Sequence, residues 1–398
     1  MNSKLYVCIY NAWVGVLLLD RNQQMTFSYQ KDAKRALSLS MPLKEKNFDE
    51  KNCRNFFRGY LPEDRNKLEA MSAAVGCHPK QTFALLQSYG RECNGAISFC
   101  SINELKEEPQ DPLIIAHPIK KSKLDFKESD SFGLFSGKGS KIPVCLIDEQ
   151  IALPDPKSPS THFLKLGTAS KIINEYFCLC VAKVLGIDCV TAKLYSLVNG
   201  PGLLVERYDR KIINFHHVQY AHQEDFLQAL GYFPSHQYEW DKGPSLKECF
   251  ALLQKTLIPA VSRLQLVKRV MFNYLIGNSQ AHAKNMSLLY CHTTKPVLAP
   301  FYSPTATSDH SVTMAMKIGE SEISEKVSLN DWRLFCQRIG FSFPIFKQML
   351  YEYSTTIVEQ AYVQQALLIE QKWDNKELDN IIKALTARAE KIKILLRS

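Results

Sequence analysis

The apolar positions of this chain recur with two different periods, and the period changes near its middle. In the first hundred residues short apolar runs alternate with turn signals. Leu5–Tyr10 and Trp13–Leu19 are separated by Asn11-Ala12, which predicts a β-hairpin. Met25–Tyr29 predicts another strand, and Leu37–Leu43 (LSLSMPL) alternates Leu with Ser at the two-residue period of a half-buried strand. A more helical section runs from about Asp49 to Ser88, with Pro62 and the acids after it expected to open a helix. Asn94-Gly95 then turns the chain into Ala96–Cys100. Residues 103–130 are charged, contain proline and are poor in large apolar side chains, which predicts a linker.

Beyond Ser131 the signals become dense. Pro143–Asp148 and Thr161–Leu166 read as strands, the second with Phe163 and Lys165 on one face and Leu164 on the other. Between Phe132 and the first of these strands lies a Gly/Ser/Lys loop containing Gly137, Gly139 and Lys141. Such a loop leaves backbone N–H groups free to approach phosphates, but it lacks the spacing of a Walker A loop. On its own this signal is weak, and a plain tight turn between two strands is the more common explanation. Lys171–Leu185 has a helical stripe ended by Gly186, with Glu175 set among apolar neighbours. A carboxylate there needs a cation, and Lys165 is a candidate. Ala192–Val198 and Leu203–Tyr208 flank Asn199-Gly200-Pro201-Gly202, a hairpin signal. After about residue 212 the pattern is mainly helical, ending in a stripe of Leu378, Ile381, Ile382, Leu385, Ala389, Ile392 and Leu396.

One helical stripe, Leu264, Val267, Met271, Tyr274 and Leu275, runs into Gly277 and then into a polar loop, Asn278–Asn285, before apolar residues resume at Met286. A polar loop held between two packed elements is where functional groups are commonly displayed, although a solvated turn would look the same.

Composition narrows the class. With 398 residues the chain is too long for one simple core, so two or more lobes are expected. The formal charge of +9 comes from scattered Lys and Arg and implies mild attraction to anionic partners, not a dedicated nucleic-acid surface. The 12 cysteines form no CxxC pair, and several lie inside apolar runs, as in a reducing compartment. No stretch is long enough to span a bilayer and the N-terminus does not read as a signal peptide, so a cytoplasmic location without membrane partners is expected. His216, His217 and His222 lack the Cys and carboxylate company of a typical metal site.

The order of these parts (Gly-rich loop, strand Lys, helix Glu, connecting strand, polar loop) is that of protein-kinase-like folds. The motifs resemble one family in particular, the HipA-like kinase toxins of bacterial toxin–antitoxin systems. LSLSMPL, FFRGYLPEDR and SYGRECNGAISF resemble its N-terminal subdomain. THFLKL, NEYFCLCVAKVLGI and LLVERYDRK resemble its third strand, following helix and hinge, and QEDFLQALG, YEWDKGPS and IGNSQAHAKN its helical lobe. The resemblance implies a two-lobed α+β fold. Its parts would be an N-terminal subdomain over 1–102, the linker over 103–130, a β-rich N-lobe over 131–211 and a helical C-lobe over 212–398. It also assigns roles. Gly137, Gly139 and Lys141 would lie over nucleotide phosphates; Lys165, held by Glu175, would contact the α- and β-phosphates; Glu206 and Tyr208 would sit near the adenine. His282, Lys284 and Asn285 would belong to the catalytic loop, with Asn285 a weak metal ligand.

Two departures from the family pattern weigh more than the matches. The catalytic Asp is replaced by Gln280, and the metal-binding Asp after the Phe-Tyr pair is replaced by Ser303 in LAPFYS. Gln280 cannot accept a proton at neutral pH, and an amide is a poor Mg²⁺ ligand. Loss of a general base alone costs roughly 10²–10⁴-fold in rate. The expectation is therefore a pseudokinase that retains an ATP cleft with little dependence on Mg²⁺. It would act by binding a small DNA-binding antitoxin of the HipB type, with indirect DNA association, or a related HipA-like kinase. The alternative is an active Ser/Thr kinase phosphorylating a translation component such as an aminoacyl-tRNA synthetase, with His282 as base or Asp309 reaching a metal.

Overall fold

The computed structural model describes residues 3–105, 134–135, 140–147, 150–154, 159–198, 200–213, 217–291, 293–373 and 375–397. Most of the expected linker, and Gly137 and Gly139, lie outside these residues.

The N-terminal subdomain is a five-stranded antiparallel sheet backed by helices. Strands β1 (Ser3–Ile9), β2 (Ala12–Leu19), β3 (Met25–Tyr29), β4 (Asn47–Phe48) and β5 (Ile97–Cys100) are ordered β4-β3-β2-β1-β5. The first hairpin turns on Tyr10 and Asn11, both at positive φ (51° and 60°), so that Ile9 pairs with Ala12. Helices α1 (Glu50–Phe57), α2 (Arg65–Val75) and α3 (Thr82–Tyr89), with the short α4 (Ile102–Leu105), complete the unit. Asp49 and Asp64 cap α1 and α2 by accepting from the backbone N–H groups of Asn52 and Lys67. Leu37–Leu43 does not form the strand its alternation suggested; it carries one isolated bridge, Ser38 to Met41. Leu37 and Met41 are buried, and Ser38 turns to the C-lobe to bond Glu224. A tertiary contact, not a sheet partner, decides this segment.

The N-lobe sheet has the order β7-β6-β8-β10-β9, from β6 (Ser140–Ile147), β7 (Gln150–Ala152), β8 (His162–Leu166), β9 (Ala192–Leu197) and β10 (Gly200–Glu206). Leu164 points into its core while Lys165 faces the cleft. The β9–β10 turn is tighter than expected, with Gly200 already paired to Leu197. Helix α5 (Ala169–Val184), capped by Thr168, packs into the core of the helical lobe through Phe177, Cys178 and Val181.

The C-lobe is less purely helical than its sequence suggested. It contains β11 (Arg210–Ile213) paired with β12 (His217–Tyr220), a three-stranded sheet of β13 (His222–Asp225), β14 (Ser287–Tyr290) and β15 (Val297–Leu298), and β16 (Thr313–Ile318) paired with β17 (Ser321–Ile323). These strands are short, too brief for a period to show over the helical background. Around them stand α6 (Phe226–Leu230), α7 (Leu246–Leu252), α8 (Pro259–Ile276), α9 (Leu329–Ile339), α10 (Phe343–Glu370) and α11 (Glu377–Arg397). The predicted α11 stripe is buried throughout, whereas Leu264 of the α8 stripe is 39% exposed. Among the described residues no helix is long and apolar enough to cross a membrane.

The N-terminal subdomain is fastened to the rest by buried polar contacts. Glu92 accepts from Arg207 Nη1 at 2.8 Å, Arg207 also holds Asp209, and Asp209 Oδ2 accepts from the Gly95 N–H at 2.6 Å. Burial alone would raise the Asp209 carboxyl, but Arg207 and Arg210 hold it well below the usual range. Tyr10 Oη donates to Tyr290 O at 2.9 Å, and His222 Nε2 lies 2.8 Å from Leu37 O.

Candidate functional site

The three units meet in a cleft of about 430 Å³. Its N-lobe wall holds Lys141, Lys165 and Glu175, its hinge side Val205, Glu206 and Tyr208, and its floor Gln280, His282, Lys284, Asn285 and Ser303. The N-terminal subdomain closes a third side with Gly59, Tyr60, Glu63 and Asn94. Gly137 and Gly139 are outside the described residues; Lys141, Lys165, Glu175, Glu206, Tyr208, Gln280, His282, Lys284, Asn285 and Ser303 all line one cleft.

The N-lobe groups are set by β8 and α5. Lys165 Nζ donates to Glu175 Oε1 at 2.5 Å, and both side chains are mostly shielded. The same ammonium donates to Ser303 Oγ at 2.8 Å. Ser303 has φ of 54°, a left-handed conformation uncommon for a side chain other than Gly, Asn or Asp. Lys141 approaches the Phe163 ring, its nitrogen 4.9 Å from the centroid. Burial, with Lys165 and Lys67 nearby, pushes its pKa down to about 7. A ligand anion would reverse that shift.

On the hinge side the Tyr208 and Tyr302 rings are near-parallel with centroids 5.9 Å apart, and the Tyr208 hydroxyl donates to Gln223 Oε1. The Glu206 N–H is held by Thr191 O at 2.9 Å. Apolar Val190 and Val205 flank these groups, a lining that suits a flat heteroaromatic ring.

The polar loop is fixed by its own amides. Gly277 ends α8 at φ of 69°, and Asn278 Oδ1 accepts from the Gln280 N–H at 3.0 Å. The Asn285 side-chain amide donates to Gln280 O at 2.8 Å, and Tyr238 Oη donates to Gln280 Oε1 at 2.9 Å. The ring of Tyr238 meets His282 edge-on, and His282 is buried. Lys284 is buried too; its ammonium donates to Asp225 Oδ2 at 3.0 Å and Gly59 O at 3.2 Å, with Glu63 Oε1 at 3.9 Å. Burial works against the Lys284 charge, but Asp225 and Glu63 outweigh it and keep the pKa above the ordinary lysine value.

Glu63, Asp225 and Tyr60 were not singled out from the sequence. Each belongs to a motif quoted there, but nothing in local spacing says that α2's approach and the cap of α6 converge on Lys284. Asp309, the alternative metal acid, does not line the cleft; its carbonyl accepts from Arg388 Nη2 at 2.6 Å.

The donor set fits a nucleotide and does not fit a hard divalent cation. Lys141 and Lys165 suit phosphate oxygens, and Val190, Val205 and Tyr208 suit a base. At the metal position the Ser303 hydroxyl is engaged by Lys165 and the Asn285 amide by the loop, leaving one neutral carbonyl oxygen where Mg²⁺ prefers carboxylates. Among the described residues no three His, Cys, Asp or Glu side chains are grouped as metal ligands.

Comparison with known proteins agrees with this architecture. The HipA N-terminal domain profile matches residues 5–100 and the HipA-like C-terminal domain profile residues 134–368. The putative kinase Y4mE of Sinorhizobium fredii is 30% identical over 98% of this chain and 99% of its own. The serine/threonine-protein kinase toxin HipA of Shewanella oneidensis is 28% identical over 58% of each chain. A solved structure of the Shewanella oneidensis HipA, HipB and operator DNA complex superposes with a TM-score of 0.84 at 22% identity, covering 99% of both chains. With both profiles met in order and a relative similar from end to end, the chain belongs to the HipA-like kinase family and has its two-lobed α+β fold.

Proposed function

We propose that this protein is a HipA-like pseudokinase: it binds a nucleotide without needing a metal and acts by forming complexes. The observation that carries this reading is the state of the acids. Ser303 Oγ accepts from Lys165 where a metal carboxylate is expected, and Gln280 stands where a proton acceptor is expected. Glu63, Glu175, Asp209, Glu224 and Asp225 also line the cleft, each engaged by protein donors or cations, and Glu206 lies at the hinge. Among the described residues no carboxylate stands at position 280 or 303, while Lys141 and Lys165 carry charge suited to phosphate oxygens and the hinge offers an apolar lining to a base. The solved relative is described with HipB and operator DNA, which supports a small DNA-binding antitoxin as the partner here and an indirect association with DNA.

The test is a thermal-shift titration with ATP, with and without Mg²⁺, alongside a γ-phosphate transfer assay. The expected result is a similar ATP-induced rise in both conditions and no transfer. A large Mg²⁺-dependent rise, with transfer that disappears in Lys165→Ala, would instead establish an active kinase with a translation component as a candidate substrate.

A further inference from the structure

We propose that Arg388, on the last helix, is a positioning residue that holds the two cleft-lining loops, Gly277–Asn285 and Ser303–Asp309, as one unit. Arg388 is 5% exposed, 103 positions beyond Asn285 in the chain and outside the matched C-terminal domain profile. Its guanidinium donates to Leu275 O at 3.0 Å, Thr307 O at 2.9 Å and Asp309 O at 2.6 Å. Leu275 O is one of the last carbonyls of α8, which have no partner within their own helix. The guanidinium sits at the negative end of that helix, where a cation is favoured. One fork therefore joins the end of α8, from which the first loop springs, to the segment that follows Ser303.

Further contacts show that this junction is tight. A side chain at Gly277 would begin 2.5 Å from Arg388 Nη2, so the guanidinium occupies the space that the glycine leaves. The Thr307 N–H donates to Ile276 O at 3.1 Å, and Asn174 of α5 accepts from the Ala306 N–H at 2.9 Å while donating to Ala306 O at 2.8 Å. Asn174 precedes Glu175, the partner of Lys165. Arg388 thus closes a ring of contacts that fixes where Asn285 and Ser303 lie relative to Lys165. Leu275 O is reached from Nη1 and Thr307 O and Asp309 O from Nη2, so the contacts are split between two nitrogens of a planar fork, a spread that the single ammonium of lysine does not reproduce.

The experiment compares Arg388→Ala and Arg388→Lys with Leu396→Ala, a truncation in the packed face of the same helix eight positions further on. Hydrogen exchange of both loops is measured by mass spectrometry, and metal-free ATP affinity by calorimetry. Both Arg388 variants are expected to raise exchange in residues 277–285 and 303–309 together and to weaken ATP binding at least tenfold, with secondary structure intact. Leu396→Ala is expected to lower thermal stability without either change. Equal loop exchange in Arg388→Lys and the native protein, or matching effects from Leu396→Ala, would reduce Arg388 to packing and overturn the proposal. The affinity readout rests on the nucleotide-binding reading above. If the native protein binds no ATP, that reading fails, and loop exchange alone decides on Arg388.

Discussion

At the scale of single residues, two side chains, Gln280 and Ser303, carry the pseudokinase reading, and the backbone beneath Ser303 suits an acid. The left-handed φ of Ser303 is tolerated by Asp better than by most residues, so Ser303→Asp should not add backbone strain. A carboxylate there would lie beside Lys165, now 2.8 Å from the Ser303 oxygen, and would supply the charge a divalent ion needs. The double variant Ser303→Asp/Gln280→Asp is expected to give an ATP-induced thermal shift that grows with Mg²⁺, and the native protein is expected to show none of that growth. An unchanged metal dependence in the double variant would mean that more than these two side chains is missing. The Lys165–Glu175 contact was legible in the sequence for a simple reason. A carboxylate on an apolar helix face demands a cation, and the neighbouring strand offered one. The engagement of Ser303 by the same lysine was not legible, because it joins positions 138 residues apart.

At the scale of elements, the polar loop is held from outside as well as by its own amides. Gly277 and the resumption of apolar residues at Met286 marked its ends in the sequence, and both are where the pattern put them. The fate of Lys284 was hidden. A lysine in a polar loop reads as solvated, yet this one is buried against Asp225, which caps α6, and against Glu63 from the N-terminal subdomain. Replacing it by Met keeps much of the volume but strands two carboxylates. Breaking a buried pair from one side typically costs about 3–5 kcal/mol. Lys284→Met should therefore lower the denaturation midpoint strongly in chemical unfolding. Adding Asp225→Asn, which can still cap α6 through its side-chain oxygen, should recover part of the loss. Additive effects of the two substitutions would show that the charges do not interact.

At the scale of the whole molecule, the N-terminal subdomain is the third wall of the cleft, and its junction holds a buried carboxyl. Glu224 on β13 is buried at that junction, accepting from the Leu39 N–H at 3.2 Å and from the hydroxyls of Ser38 and Tyr290. Burial pushes its pKa up to about 7, with Asp225 adding to the rise and the three donors opposing it. The sign follows from proton counting. Between the ordinary value of 4.5 and about 7 the folded chain binds this proton and the unfolded chain has released it. Stability is therefore fully favoured below the lower value and declines as pH rises through the window. The two family profiles told from sequence motifs that both units are present, but they carry no information about this joint, which pairs a Leu-Ser segment with an acid 185 positions away. Glu224→Gln removes the titration and keeps a side chain of similar shape. It should flatten the fall in unfolding free energy between pH 5 and 7, a change on the order of 3 kcal/mol for a shift of this size. The same slope in the variant as in the native protein would place the titrating group elsewhere. Because the subdomain supplies Tyr60, Glu63 and Asn94 to the cleft, the native protein should also lose ATP affinity as this joint loosens with rising pH, and the variant should lose less.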